Sequence, residues 1–381
     1  MKLQKDHIVE FETGLEVNTK YYLGYDCLDG LISKLSNYQF DRLILVTNRE
    51  INTLHGANLY KKLKDNYDCG QIHIPIGEEN KIFSTLENLC NNLIKKKVSK
   101  DSIVISFGGG MVGNVVGLAA ALVFRGIRYV EVPTTTIAMT DSVLSNKQAI
   151  NGFYGKNHFG VYYAPLFIWG DVKLLSTEPQ RSINSGLAES VKNGLISDPI
   201  FLDYLGQHLN KKTDYQWDLL FELVCKSIAS KLEIIKKDPS EKGYGMILEY
   251  GHTFGHVIEK LYSNKIFHGE AIAIGMYIAA MLSNRLDYLK NEDVELHRYF
   301  IEEKLGIELA TIPEIGIRKM FSSMKTDNKK TGDGVKYVLL EKIGKVLNPN
   351  RDYLVSVPET VVRSALNNFN KIKRSAVRNA F

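Results

Sequence analysis

Three of the chain's nine histidines fall in one short, glycine-flanked stretch, GHTFGHVIEKLYSNKIFHGEA. His252 and His256 lie four residues apart and share a helix face, and His268 follows sixteen residues after His252. Upstream, Glu189 and Lys192 lie three apart in GLAESVKNGLI and also share a face. Two imidazoles and one carboxylate from separate elements make a catalytic type of metal site, with coordination positions left open for substrate oxygens. Zinc and cobalt suit such donors equally. The pattern is not the HExxH of zinc proteases, because Thr253 follows His252.

A second chemistry sits earlier. Gly108, Gly109, Gly110 and Gly113 separate a β-rich run from the helical pattern NVVGLAAALVFRG. Backbone without side chains can approach a pyrophosphate there, and a helix N-terminus supplies N–H groups and partial positive charge. The match to GxGxxG is formal, since a standard dinucleotide fold places the motif after its first strand. The turn Gly77-Glu78-Glu79-Asn80-Lys81 adds a second phosphate-friendly segment. Beyond the glycines, PTTTIAMTDSVLSNKQAINGFYGKN carries Asp141, Lys147, Lys156 and Asn157 in loop-like sequence, with Arg125 just upstream. Lys and Arg donors with an Asn amide suit a phosphoryl group.

These residues need elements to hold them. RLILVTN (from Arg42), QIHIPIG (from Gln71), SIVISFGGG (from Ser102), YVEVPTT (from Tyr129) and LFIWGD (from Leu166) read as buried strands, short and mostly closed by Gly, Pro, Asn or Asp. Runs such as STLENLCNNLIKKK between them carry apolar residues at helical spacing. Strand and helix in alternation predict an α/β parallel sheet with helices on both faces. After about Pro179 the pattern turns helical, with one late hairpin signal, VKYVLLEKIGKV. The expected organisation is an N-terminal parallel-sheet domain over residues 1–175 and a mainly helical domain over residues 176–381.

Composition narrows the classes. With 381 residues, 44% of them hydrophobic, the chain can build two cores. Its net charge of +5, from 48 basic and 43 acidic residues, is too small and scattered for a nucleic-acid partner. Four cysteines without CxxC spacing argue against a disulfide scaffold. The N-terminal MKLQKDHIVEFETG lacks the apolar core of a signal peptide, and no run of about 18 apolar residues suggests a membrane span. The cytoplasm is the expected compartment.

Read in order, GGGMVGN, FRG, VPTT, the DSxxxxK of Asp141 to Lys147, GKN, GLAExxK, GHTxGH and HGEAxAxGM match one pattern from about Leu43 to Lys345. The chain resembles the dehydroquinate synthase superfamily of sugar phosphate cyclases. The resemblance implies an NAD-binding N-terminal domain and a metal-binding helical domain. It implies one divalent ion (Co or Zn) on Glu189, His252 and His268. Asn48, Glu78, Lys81, Gly109, Gly110, Asn114, Thr134, Thr135 and Asp141 would then surround NAD. Arg125, Asp141, Lys156, Asn157, Lys231 and Lys329 would surround a sugar phosphate, with Lys147, Glu249, His256 and Lys192 as catalytic candidates. It also implies a homodimer in which Arg125 reaches the neighbouring subunit's site.

The departures bear on the substrate. Dehydroquinate synthase proper has Asp where this chain has Asn114, DSSVGGKTAVN where it has DSVLSNKQAIN, Asn where it has Glu249, and Arg where it has Gly245. Each change resembles the branch that cyclises glucose 6-phosphate. An Arg suits a carboxylate substrate, and glucose 6-phosphate has none. Dehydroquinate synthase activity and cyclisation of heptulose phosphates remain the alternatives.

Overall fold

The computed structural model describes residues 7–12, 19–153, 155–211, 215–262, 265–324 and 335–379. Its contacts group the chain into two units: Met1–Pro179 with Gln216–Leu232, and Gln180–Tyr215 with Glu233–Phe381.

The first unit is built on a sheet. Its strands in chain order are β1 (Ile8–Glu12), β2 (Lys20–Gly24), β3 (Leu43–Thr47), β4 (Cys69–His73), β5 (Ile103–Gly108), β6 (Arg128–Pro133), β7 (Lys147–Ile150), β8 (Phe159–Tyr162) and β9 (Phe167–Asp171). Seven of them form one sheet in the order β1-β2-β9-β6-β5-β3-β4. All neighbours are parallel except β1, which pairs antiparallel with β2 at the edge. Strands β3, β5 and β9 are buried along their whole length, as continuous apolar runs between helix layers require. The helix α1 (Gly110–Leu122) packs its Val112, Val115 and Ala119 with Ile44, Leu89 and Val104 in one core.

All five strands read from the sequence are present. Two more, β1 and β2, are strands the hydropathy reading passed over. β1, IVEFE, buries no residue fully, so its side chains carry little apolar signal. The stretch after the glycine turn also differs from the loop expected there. Thr136–Thr140 is helical, and Lys147 opens β7, which pairs antiparallel with β8. That pairing depends on a partner strand beyond an intervening loop, which local pattern does not announce.

The second unit is mainly helical. Its site-bearing helices are α2 (Gln180–Ser197), α4 (His252–Leu261) and α5 (His268–Arg285), while α3 (Trp217–Ile235) groups with the first unit as far as Leu232. An antiparallel pair, Leu340–Lys342 with Lys345–Val346, supplies the expected late hairpin. α5 is buried on every face from Gly269 to Ser283, which makes it the unit's central rod. Two glycines let other backbone reach it. A Cβ on Gly275 would lie 2.1 Å from the Gly251 carbonyl oxygen, and one on Gly269 would lie 1.7 Å from the Ser185 carbonyl oxygen. Gly251 itself caps α4 at φ +81°, a left-handed conformation that favours glycine. Among the described residues, no helix is long and apolar enough to cross a membrane.

The contacts predict opposite signs for the same substitution in two helices. Gly206, within the helix Pro199–His208, would place a Cβ no closer than 3.6 Å to any neighbour. Gly206→Ala is therefore expected to stabilise by about 0.5–1 kcal/mol through helix propensity. Gly275→Ala is expected to destabilise by about 1–3 kcal/mol or more through overpacking. Urea unfolding of the two variants beside the parent chain measures both.

Candidate functional site

In the second unit, Glu189, His252 and His268 converge, with one ligand atom from each lying within 4.8 Å of the others. Glu189 Oε1 stands 3.7 Å from His252 Nε2 and 3.5 Å from His268 Nε2. This oxygen is buried and has no hydrogen-bond partner. A buried, unsatisfied carboxylate oxygen facing two imidazole nitrogens is what a cation-binding centre leaves when the cation is taken away.

Contacts at the outer nitrogens fix the orientation of the two rings. His252 Nδ1 donates to the Tyr250 carbonyl at 3.2 Å, and His268 Nδ1 lies 3.0 Å from Glu259 Oε2. Both Nε2 atoms are thereby directed at Glu189, the arrangement metal-bound histidines require. Tyr250 is itself held, since its hydroxyl lies 2.9 Å from His297 Nε2 and His297 Nδ1 donates to the Asp293 carbonyl at 2.7 Å. Lys192 places its ammonium on Glu189 Oε2, and both side chains are buried. Burial pushes the Glu189 carboxyl up, but the Lys192 ammonium and the two imidazoles outweigh it and hold the group well below the usual carboxylate range. Burial and Lys192 together push His252 well down, so it stays neutral and able to ligate. Burial also lowers His268, but Glu259 and Glu189 outweigh it and carry the imidazole up to about 10. Two carboxylates thus draw positive charge to the point where a divalent ion would sit. His256 completes the group, its ring centred 5.1 Å from that of His252.

The first unit carries the second set. α1 starts at the glycine turn, and Thr134 N–H donates to the Gly108 carbonyl at 3.0 Å. A Cβ on Gly109 would lie 3.2 Å from Thr135, whose hydroxyl caps the next helix. Thr134 Oγ1 is buried and unpartnered, a free polar atom beside the turn. Asn114 donates its amide to the Gly110 carbonyl, and Asn48 caps the helix that follows β3. The Glu78–Lys81 turn is tied to the loop after β7. Asn151 donates to Glu78 Oε1 at 2.9 Å, Lys81 Nζ reaches Asn157 Oδ1 at 2.5 Å, and Lys156 Nζ stands 3.6 Å from Glu78. Lys231 Nζ meets Asp141 Oδ1 at 2.6 Å. Arg125 is exposed and, with Phe124, adopts positive φ, +66° and +52°. Lys329 lies outside the described residues.

Residues 71–185 match the family pattern described as 3-dehydroquinate synthase N-terminal, and residues 186–330 the one described as 3-dehydroquinate synthase C-terminal. A 2-deoxy-scyllo-inosose synthase of Streptomyces kanamyceticus is 36% identical over 367 residues, covering 95% of this chain and 94% of that protein. The chain belongs to the dehydroquinate synthase family. Within it, a crystal structure of 2-deoxy-scyllo-inosose synthase complexed with carbaglucose-6-phosphate, NAD+ and Co2+ has a TM-score of 0.88 at 31% identity, covering 95% of this chain and 99% of that one. The fold is also that of a 2-epi-5-epi-valiolone synthase from Streptomyces hygroscopicus with NAD+ and Zn2+ bound, at TM-score 0.81 and 22% identity, covering 94% and 98%.

Two of the departures from the dehydroquinate synthase pattern, Gly245 and Glu249, lie in the segment before α4. Gly245 N–H donates to Asp238 Oδ2 at 2.9 Å, and a Cβ there would lie 3.0 Å from the Asp238 carbonyl and 2.9 Å from Glu241 Cγ. An arginine side chain does not fit this turn without movement of its backbone. Glu249 ends the short helix Tyr244–Glu249, three residues before His252, and its charge acts on that imidazole. One functional residue escaped the sequence reading: Glu259, which holds His268. Its signal was available, since His252, His256 and Glu259 recur at i, i+4 and i+7 along one face of α4. A carboxylate on the buried face of a helix needs a partner.

Glu259→Ala is therefore expected to weaken zinc or cobalt binding by about 10–100-fold while circular dichroism stays unchanged. His268→Ala should abolish binding. Competition against a chromophoric chelator measures both.

Proposed function

We propose that this chain converts glucose 6-phosphate to 2-deoxy-scyllo-inosose with release of phosphate, holding NAD and one divalent ion, Co or Zn. The observation that carries the reading is the Glu189–His252–His268 centre, in a chain 31% identical to a 2-deoxy-scyllo-inosose synthase solved with carbaglucose-6-phosphate, NAD+ and Co2+. When bound, NAD supplies reversible hydride transfer at C4 of the sugar, and the metal polarises the hydroxyl there. Oxidation at C4 acidifies C5 and lets phosphate leave from C6, which classes the enzyme as a carbon–oxygen lyase. Reduction, ring opening and an aldol closure complete the carbocycle.

The chain's own residues divide this work. Glu189, His252 and His268 hold the ion, with Glu259 and the Tyr250 carbonyl fixing the imidazoles. Asn48, Glu78, Lys81, Gly109, Gly110, Asn114, Thr134, Thr135 and Asp141 hold NAD. Lys156, Asn157, Lys231 and Lys329 bind phosphate and hydroxyls. Lys147 and Glu249 move protons in the later steps, and His256 and Lys192 are further catalytic groups. Gly245 and Glu249 favour a substrate without a carboxylate, because Gly245 offers no side chain at its position and Glu249 repels an acid.

The reading includes a homodimer to which Arg125 contributes. Leu122, Phe124, Phe159, Val161 and Tyr162 are all exposed in the first unit, an apolar surface that association would cover. The product belongs to aminoglycoside antibiotic assembly, and the cytoplasm, which supplies sugar phosphate and NAD, is the expected compartment.

One experiment tests the substrate. With metal and NAD present, equal amounts of glucose 6-phosphate and the heptulosonate phosphate of dehydroquinate synthase are offered together. Phosphate should come from the glucose ester, while absorbance at the NADH band stays flat. Faster turnover of the heptulosonate would reverse the branch assignment, and stoichiometric NADH would indicate a plain dehydrogenase.

A further inference from the structure

Glu131 stands midway along β6 in the first unit, with 4% of its surface exposed. Its side chain points at the first turn of α1, and a Cβ built on Gly113 would fall 2.2 Å from Glu131 Oε1. Gly113, the last glycine of the turn, is thus glycine because the acid occupies the space a side chain would need. Sheet register puts Ser106 of β5 and Ile168 of β9 on either side, with Tyr21 of β2 beyond Ile168. Tyr129, two residues back on β6, shares the face.

Among the described residues, no charged group balances Glu131. Glu131 Oε2 is buried without a hydrogen-bond partner, and so is the neighbouring Ser106 Oγ. α1 carries no ionisable residue from Gly110 to Leu122. The titratable groups that face Glu131 are Tyr129 from its own strand and Tyr21 from β2, and burial pushes both phenols far up, keeping them neutral. Burial likewise pushes the Glu131 carboxyl up to about 7. A carboxyl kept in an apolar layer without a cation is costly, and no step of the proposed reaction uses it.

We propose that Glu131 sets how firmly the glycine turn holds the diphosphate of NAD, its uncharged form permitting binding and its ionised form opposing it. This rests on the NAD part of the proposed function. An anion at the start of α1 draws on that turn's N–H groups and on the positive end of the helix. An ionised carboxylate against Gly113 takes up the same positive potential and repels the diphosphate through a low-dielectric layer. By linkage, binding the diphosphate also drives a proton onto Glu131.

Calorimetric titration of the metal-loaded chain with NAD, from about pH 6 to about pH 8.5, tests this. The dissociation constant is expected to rise about tenfold or more across that range. At the upper end, NAD binding should take up protons, read from the dependence of heat on buffer ionisation. Glu131→Gln should bind NAD at the low-pH strength throughout, without that uptake. The folded chain holds its Glu131 proton to higher pH than the unfolded chain, so stability is lost as pH rises from about 4.5 to about 7. Glu131→Gln should therefore melt higher than the parent at about pH 8, which also establishes its fold. Affinity and proton uptake that are flat with pH in the parent chain would overturn the inference, as would an unchanged slope in the variant. Absence of NAD binding at every pH would overturn the NAD reading and this inference with it.

Discussion

Backbone touching backbone at glycine is the contact on which the metal centre depends. Gly275 faces the Gly251 carbonyl, and Gly269 faces the Ser185 carbonyl, at separations no side chain could share. Through these contacts α5 lies close to the start of α4 and to the middle of α2. Those are the places that carry His268, His252 and Glu189. The three donor atoms thereby fall within 4.8 Å of one another, close enough for one ion to bridge. The glycines forgo helix propensity, about 1 kcal/mol each, for a geometry that larger residues exclude.

Charge is arranged to the same end. Glu189 is buried and would be expensive alone, yet Lys192 on one oxygen and two imidazoles toward the other keep it ionised. Glu259, Tyr250 and His297 stand behind the imidazoles and fix which nitrogen points inward. Glu131 in the first unit is the contrast, since burial there meets no cation and the group is driven toward its neutral form. In each case the state of a buried acid follows from what lies within reach of its oxygens rather than from its depth alone.

Much of this was legible in the chain. The five core strands announced themselves as short apolar runs, and the histidine cluster by residue type and spacing, while the family resemblance picked out Glu189, His252 and His268 as the donors. What stayed hidden depends on distant partners. Ser185 lies 84 residues from Gly269, so no local pattern marks the closeness of the two backbones. The edge strand β1 has too few buried residues to show an apolar period. Helix α3 reads as part of the helical half, and only tertiary contacts reveal that most of it packs with the sheet unit. Glu259 was readable in principle, since its spacing continues that of His252 and His256.

The central claim is that three side chains, brought together by glycine contacts, hold one divalent ion. Anomalous diffraction at the cobalt edge from crystals grown with Co(II) tests it most directly. The account predicts one strong peak per chain, bounded by Glu189 Oε1 and the Nε2 atoms of His252 and His268, and no such peak in His268→Ala. A peak held by other residues, or one that persists in the variant at full height, would contradict it.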